Sequence, residues 1–262
     1  MSQTEKIFSW ILKGGLLITP FIVFVVTRSM YFPFITGKNF AFRILIEVLA
    51  AIWVIAALKF PRFRPRSSLL GWAVIAFIAV LGLATIFSLS PYRSFWSNFE
   101  RMEGYVGLLH LVLYFWLLGS VFTSERDWRI FFYTSIGTSV VIALYAVMQL
   151  LGKFDIHQGG TRVDATLGNA TYLAAYLLFH IFFLIWFSLR TRNLYLRFAF
   201  LGALVLEAVI LYNTATRGAI LGMLGGLFLL TLWLVWSRSD SGRRWALAGL
   251  GAVVLVPILF FL

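Results

Sequence analysis

A short polar stretch at residues 212–218 (YNTATRG) separates two long apolar segments and contains one arginine, Arg217. A charge at membrane depth is costly unless it pairs with another group or faces water, so such an arginine is a candidate functional residue. Gly218 opens an apolar run that continues through Trp236, which places Arg217 in the first turn of a predicted helix. Free N–H groups and the positive end of the helix dipole favour an anion there. The stretch therefore predicts an anion-binding site.

Two more arginines precede predicted helices on the same predicted side of the membrane. Arg101 lies shortly before the apolar run at 105–122, and Arg162 lies before the run at 169–188. Three guanidinium groups beside three helix starts would form a strong site for phosphate or pyrophosphate, because the guanidinium fork matches pairs of phosphate oxygens. Taken singly, each arginine is better explained as a solvated or snorkelling side chain. Their shared position is what favours the site.

Ionisable residues inside the predicted spans have structural explanations. Arg43 and Glu47 are spaced i, i+4 on one predicted helix and neutralise each other in the simplest interpretation. Glu207 has no partner nearby in sequence, so we expect it to face the helix bundle, either paired with an arginine or protonated. His180 lies well inside a predicted span and is more typical of a hydrogen-bonded interhelical histidine than of a catalyst.

The remaining polar residues give no pattern for a metal or a nucleophile. The chain has no cysteine and three histidines. Asp155, His157 and Asp164 lack the close spacing of a metal site, so we expect neither a metal nor a cofactor. A single loop histidine is usually solvated, and His157 is therefore a poor candidate for a general base.

The composition indicates an integral membrane protein. Hydrophobic residues make up 61% of the 262 residues and charged residues 12%, which is more apolar surface than a soluble fold can bury. The net charge of +12 is spread between apolar runs and forms no continuous basic face. Membrane topology explains this distribution better than nucleic-acid binding does.

The apolar runs predict an all-α, polytopic bundle of about nine membrane spans within a single membrane domain, 1–262. The loops assigned inside hold thirteen Lys and Arg, those assigned outside hold seven, and two lie within spans, which accounts for all 22. By the positive-inside rule the N-terminus is cytoplasmic. The predicted spans are 7–27, 40–58, 69–88, 105–122, 130–151, 169–188, 198–213, 218–236 and 245–262.

Three segments carry a resemblance to a known family. They read FWSNFERMEGY at 95–105, TLGNATYLAAY at 166–176 and TATRGA at 214–219. In this order, each at a predicted outward loop, they resemble the O-antigen ligase and O-antigen polymerase superfamily. The resemblance covers residues 85–222 and implies a lipid-linked-sugar (GT-C-like) glycosyltransferase of the bacterial cytoplasmic membrane, acting without a metal. Such an enzyme moves a glycan from undecaprenyl pyrophosphate to an acceptor on the outer face.

The resemblance also implies roles for individual residues. Arg217 and Arg162 match the two arginines expected to hold the pyrophosphate. Arg101, Glu103 and Gly104 match an RxEG element that shapes the site. The supporting positions in the other two segments are Gly168, Asn169, Thr216 (where the family usually has serine) and Gly218.

The chain departs from the family in one large feature. The family's long outer loop, with a histidine proposed as general base, follows a span equivalent to 245–262. We therefore expect a fragment that binds the carrier without completing transfer by itself. Two alternatives stay open: a transporter or flippase of lipid-linked sugars, which would need cations along a path through the bilayer, and a membrane scaffold in which the outward arginines are dispensable.

Overall fold

The computed structural model describes residues 2–98, 101, 103–157 and 160–237, and within these ranges the protein is helical, with no β-strand. The all-α prediction is confirmed there. Three short 3-10 segments, Thr19–Phe24, Pro61–Phe63 and Ala165–Leu167, lie between the longer helices. The α-helices of the described residues are α1 (Gln3–Ile18), α2 (Thr36–Lys59), α3 (Leu69–Ile86), α4 (Pro91–Trp96), α5 (Tyr105–Val121), α6 (Glu125–Leu150), α7 (Ala170–Arg190), α8 (Leu194–Asn213) and α9 (Arg217–Ser237).

Six helical segments of the described chain are long and apolar enough to cross a membrane. They are Gln3–Phe24, which joins α1 to its 3-10 extension, together with α2, α3, α6, α7 and α8. Two further apolar helical segments are shorter than these: α5 and the part Arg217–Trp233 of α9. Eight of the nine predicted spans thus coincide with helices, whereas the ninth, 245–262, lies outside the described residues. The helices indicate a membrane protein, and the count of nine spans stays a prediction.

Polar caps make two helices begin earlier than hydropathy predicted. Ser2 Oγ accepts a hydrogen bond from the backbone N–H of Glu5 at 3.1 Å, and α1 begins at residue 3 rather than 7. Asn193 Oδ1 accepts from the backbone N–H of Leu196 at 3.2 Å, and α8 begins at residue 194 rather than 198. A cap satisfies first-turn amides and so allows the helix to extend past its apolar segment.

By contact density the chain separates into two compact units, and the single membrane domain stays a prediction. The first unit is Met1–Val141 with Thr166–Gly168, and the second is Ile142–Ala165 with Asn169–Leu262. The core of the first unit forms where α1, α2 and α5 meet, around buried Leu16, Leu49 and Leu117.

In the second unit, α7 packs along α8 and also contacts α9. Glycines on α9 allow the close approach to α7: a Cβ on Gly226 would overlap the ring of Phe182, and one on Gly222 would lie 3.4 Å from Leu178. Small residues four apart commonly let membrane helices approach closely, because dispersion contacts between the helices then replace contacts with lipid. This packing positions the start of α9.

Candidate functional site

Within the polar stretch at 212–218, residues 214–216 form a tight turn between α8 and α9, and Arg217 lies in the first turn of α9 as the sequence predicted. Thr214 is fully buried, and its hydroxyl donates to the carbonyl of Leu211 at 2.6 Å. Ala215 has a φ of +49°, in the left-handed region. The turn holds Arg217 exposed at the first position of a 21-residue helix.

Arg162 reaches this turn from the loop before α7. Its Nε donates to the carbonyl oxygen of Thr214 at 2.8 Å, and its Nη2 donates to Oγ1 of Thr216 at 2.9 Å. A guanidinium carries five N–H bonds, so three remain for another partner. Arg162 therefore ties the loop to the turn and brings a second guanidinium close to the start of α9. The sequence predicted that both arginines precede helices, but it did not predict this direct contact.

The first two amides of α9 are available for an anion. The backbone N–H groups of Ala219 and Ile220 donate to the carbonyl of Thr216, at 3.1 and 3.2 Å. Those of Arg217 and Gly218 donate to no group among the described residues. A Cβ on Gly218 would meet nothing within 4 Å, so the space beside it is open. Unbonded first-turn amides and the helix dipole both favour negative charge at this place.

A buried carboxylate fixes the shape of the same loop. Asp164 is fully buried, and its Oδ1 accepts from Gln149 Nε2 at 2.8 Å. Its Oδ2 accepts from the backbone N–H of His157 at 2.9 Å, while Nδ1 of His157 lies 3.3 Å from Oδ1. Gln149 Oε1 in turn accepts from the backbone N–H of Ala165 at 2.9 Å. The sequence did not predict the pairing of Asp164 with His157, because their seven-residue spacing gives no indication of a contact.

Arg101 belongs to the first unit and is held differently. Its guanidinium carbon lies 4.5 Å from the centre of the Phe32 ring, a cation–π contact. Its backbone carbonyl accepts from Asn39 Nδ2 at 3.2 Å. Its Nε is buried and has no hydrogen-bond partner among the described residues. Because Arg162 and Arg217 lie in the second unit, a site shared by all three arginines stays a prediction.

The predicted supporting positions near helix starts have identifiable local functions. Gly104 is the N-cap of α5, and a Cβ there would overlap the backbone carbonyl of Phe95. Gly168 has a φ of +63°, and a Cβ there would overlap the ring of Phe34. Both glycines are therefore needed for close packing. Asn169 caps α7, its Oδ1 accepting from the backbone N–H of Thr171 at 2.8 Å.

Lys38, which sequence reasoning passed over, is bound by the backbone of its own unit. Its Nζ donates to the carbonyl oxygens of Val25 at 2.8 Å, Phe34 at 3.0 Å and Thr166 at 2.7 Å. Thr166 Oγ1 also donates to the carbonyl of Val23 at 2.8 Å. An ammonium has three N–H donors, so this lysine is saturated and serves as a structural clamp.

The ionisable residues within the helices make internal contacts. Glu47 Oε1 lies 2.9 Å from Nε2 of His110, a contact that the sequence did not reveal. Arg43, four residues before Glu47 on α2, is buried. His180 is buried with its Nδ1 2.8 Å from the carbonyl of residue 176 on its own helix. Glu207 is fully buried in α8, as its apolar setting predicted.

No group of three or more His, Asp or Glu side chains that could hold a metal ion occurs within the described ranges. No protein-family model, curated protein or solved structure gives a significant match to this chain.

Proposed function

We propose that this protein is a membrane glycan ligase or polymerase that transfers an oligosaccharide or polysaccharide from undecaprenyl pyrophosphate to an acceptor. Three ordered sequence segments support the proposal by their resemblance to the O-antigen ligase and polymerase superfamily. The observation that carries it is the contact of Arg162 with Thr214 and Thr216. This contact places two guanidiniums and two open amides around the start of one helix.

The reaction forms a bond between the acceptor oxygen and the anomeric carbon and breaks the bond from that carbon to the pyrophosphate. The leaving pyrophosphate gains negative charge, and fixed cations and N–H donors stabilise that charge best when they are already in position. Arg217, exposed at the helix start, is the direct ligand in this proposal. Two N–H donors of Arg162 bind the turn, and the remaining three are available to the pyrophosphate. The acceptor proton passes to a general base.

The proposal is tested by carrier binding to the full 262-residue chain in nanodiscs, with undecaprenyl pyrophosphate as the probe. Arg217→Ala removes a cation from a partly dehydrated phosphate, a loss of about 2–5 kcal/mol. At about 1.4 kcal/mol per decade, the expected weakening is roughly 30-fold or more. Arg217→Lys should restore only part of the affinity, because an ammonium cannot form the paired fork.

Arg162→Ala should also weaken binding, and the double variant should depart from additivity because both residues serve one ligand. Arg93→Ala is the matched control, since Arg93 is exposed on α4. Binding within twofold of wild type for both Arg162→Ala and Arg217→Ala would refute the pyrophosphate site. Movement of the glycan-linked carrier between leaflets by wild-type protein in acceptor-free vesicles would favour a flippase instead.

The proposal places the protein in the bacterial cytoplasmic membrane with its N-terminus inside. It requires the loop before α7 to face outward and the basic loop before α3 to face the cytoplasm. The chain has no cysteine, so Thr161→Cys and Ser67→Cys can be labelled singly in intact spheroplasts with an impermeant maleimide. We expect labelling of the first variant before permeabilisation and of the second only after it. The reverse pattern would overturn this orientation.

A further inference from the structure

The first unit contains a second basic region, at the end of the helix bundle opposite to its predicted outward loops. A cavity of about 550 Å³ opens where the start of α1, the loop after α2 and the start of α6 meet. This volume lies within the usual range for small-molecule sites, roughly 300–1,000 Å³. The residues that line it include Lys6, Lys13, Arg62, Arg126 and Asp127.

Positive charge dominates this cavity. Lys13 Nζ is paired with Asp127 Oδ1 at 2.7 Å, and Arg62 Nη1 lies 3.8 Å from Oε1 of Glu5. Lys6 and Arg126 form no salt bridge among the described residues and are exposed. The four cations Lys6, Lys13, Arg62 and Arg126, taken with the paired carboxylates of Asp127 and Glu5, carry a net charge of +2. An anion entering the cavity would therefore meet two cations not already committed to a carboxylate.

Apolar side chains that are exposed on the outside of the bundle also line the cavity. Trp10 lines the cavity with 80% of its surface exposed, and Ile130 lines it with 41% exposed. Tryptophan is enriched at the membrane interface, where its ring contacts acyl chains and its N–H contacts the headgroup layer. The cavity thus joins a cationic part to an apolar surface suited to lipid.

We propose that this cavity binds the phosphodiester headgroup of an anionic phospholipid of the cytoplasmic leaflet, with an acyl chain along Trp10 and Ile130. Clustered Lys and Arg beside membrane helices on the cytoplasmic side attract such lipids. Charged hydrogen bonds from lysine and arginine suit the phosphate oxygens. The cavity shares no lining residue with the proposed glycan-transfer site.

The test is native mass spectrometry of the full chain in detergent, with phosphatidylglycerol or phosphatidylcholine as the probe. Wild-type protein should retain phosphatidylglycerol preferentially. The double variant Lys6→Gln/Arg126→Gln should lower its affinity at least about fivefold, since each cation near an anionic lipid contributes measurably. It spares the Lys13–Asp127 pair. Lys59→Gln/Arg66→Gln is the matched control, because it also removes two exposed positive charges, on either side of Arg62 in the chain, but neither residue lines the cavity.

Three outcomes would overturn the proposal. One is equal retention of the two lipids by wild-type protein, and another is equal loss of phosphatidylglycerol in the cavity and control variants. The third is displacement of the lipid by millimolar inorganic phosphate, which would identify a soluble anion as the ligand. Lys6→Gln/Arg126→Gln should bind undecaprenyl pyrophosphate as wild-type protein does. A negative result for the lipid site can therefore be distinguished from a negative result for the glycan-transfer site.

Discussion

Lys38 in the first unit and Arg217 in the second are used in opposite ways. In the first unit, Lys38 gives all three of its N–H groups to backbone carbonyls. In the second unit, Arg217 lies exposed at the start of α9 beside amides that donate to no described group. The residue type is therefore a poor guide to function, whereas the number of donors left unused separates a structural cation from a ligand-binding one.

Arg162 is intermediate between these extremes. Two of its donors stabilise the turn, and three stay available for a ligand. Its removal should therefore affect both the shape of the site and the charge within it. The predictions that follow test how far this division between saturated and available cations holds.

The largest expected effect is on the stability of the first unit. Lys38→Met leaves three carbonyls without their charged donor, and we expect a loss of about 3 kcal/mol, because a charged hydrogen bond contributes about 1.5–3 kcal/mol and neighbouring ones do not add fully. For a chain of this size that corresponds to a fall of roughly 6–12 °C in the thermal midpoint. The midpoint is measured in detergent, with exposed Lys153→Met as the control. A change no larger than that of the control would show that Lys38 is not a clamp.

A smaller effect is expected for the contact between Arg162 and Thr216. Arg162→Ala and Thr216→Val each remove one side of the same hydrogen bond, so in a double-mutant cycle on carrier affinity they should be non-additive by about 1 kcal/mol. Thr216→Ser keeps the hydroxyl and should bind like wild type. If the two losses add within error, the hydrogen bond between Arg162 and Thr216 does not contribute to carrier binding.

The smallest expected effect is at Ala215, whose positive φ strains a residue with a Cβ. Ala215→Gly should remove this strain and raise the thermal midpoint by about 1–3 °C, since part of the gain is lost to the greater freedom of glycine when unfolded. Ala208→Gly, inside α8, has no such strain and should lower the midpoint. A fall in both variants would show that the turn carries no strain.

The sequence predicted what depends on local pattern. The apolar run after Gly218 fixed the start of α9, and polar flanks marked the loops of Arg101 and Arg162. It did not predict contacts between residues far apart, such as that of Glu47 with His110, separated by 63 positions. Such contacts depend on how helices pack, and an apolar run specifies a helix without specifying its neighbours.

Prediction from the local sequence was also wrong for a segment between two predicted spans. Residues 91–96 were expected as part of a loop, yet they form α4 because Pro91 has a fixed φ suited to the first helical position. The Asp164 network was missed for a different reason. Its members Gln149 and His157 come together only when the end of α6 and the following loop are both in place.

The clamp at Lys38 also constrains the order of events during synthesis. Its acceptor on Thr166 is 128 residues further along the chain. At roughly 5–20 residues per second, the ribosome needs about 6–25 s to reach that acceptor after making the lysine. During that interval the ammonium of Lys38 can bind at most two of its three final acceptors, the carbonyl oxygens of Val25 and Phe34. The clamp can therefore be completed only after residue 166 has been made, and a translational pause before that residue would lengthen the period in which the first unit is incomplete.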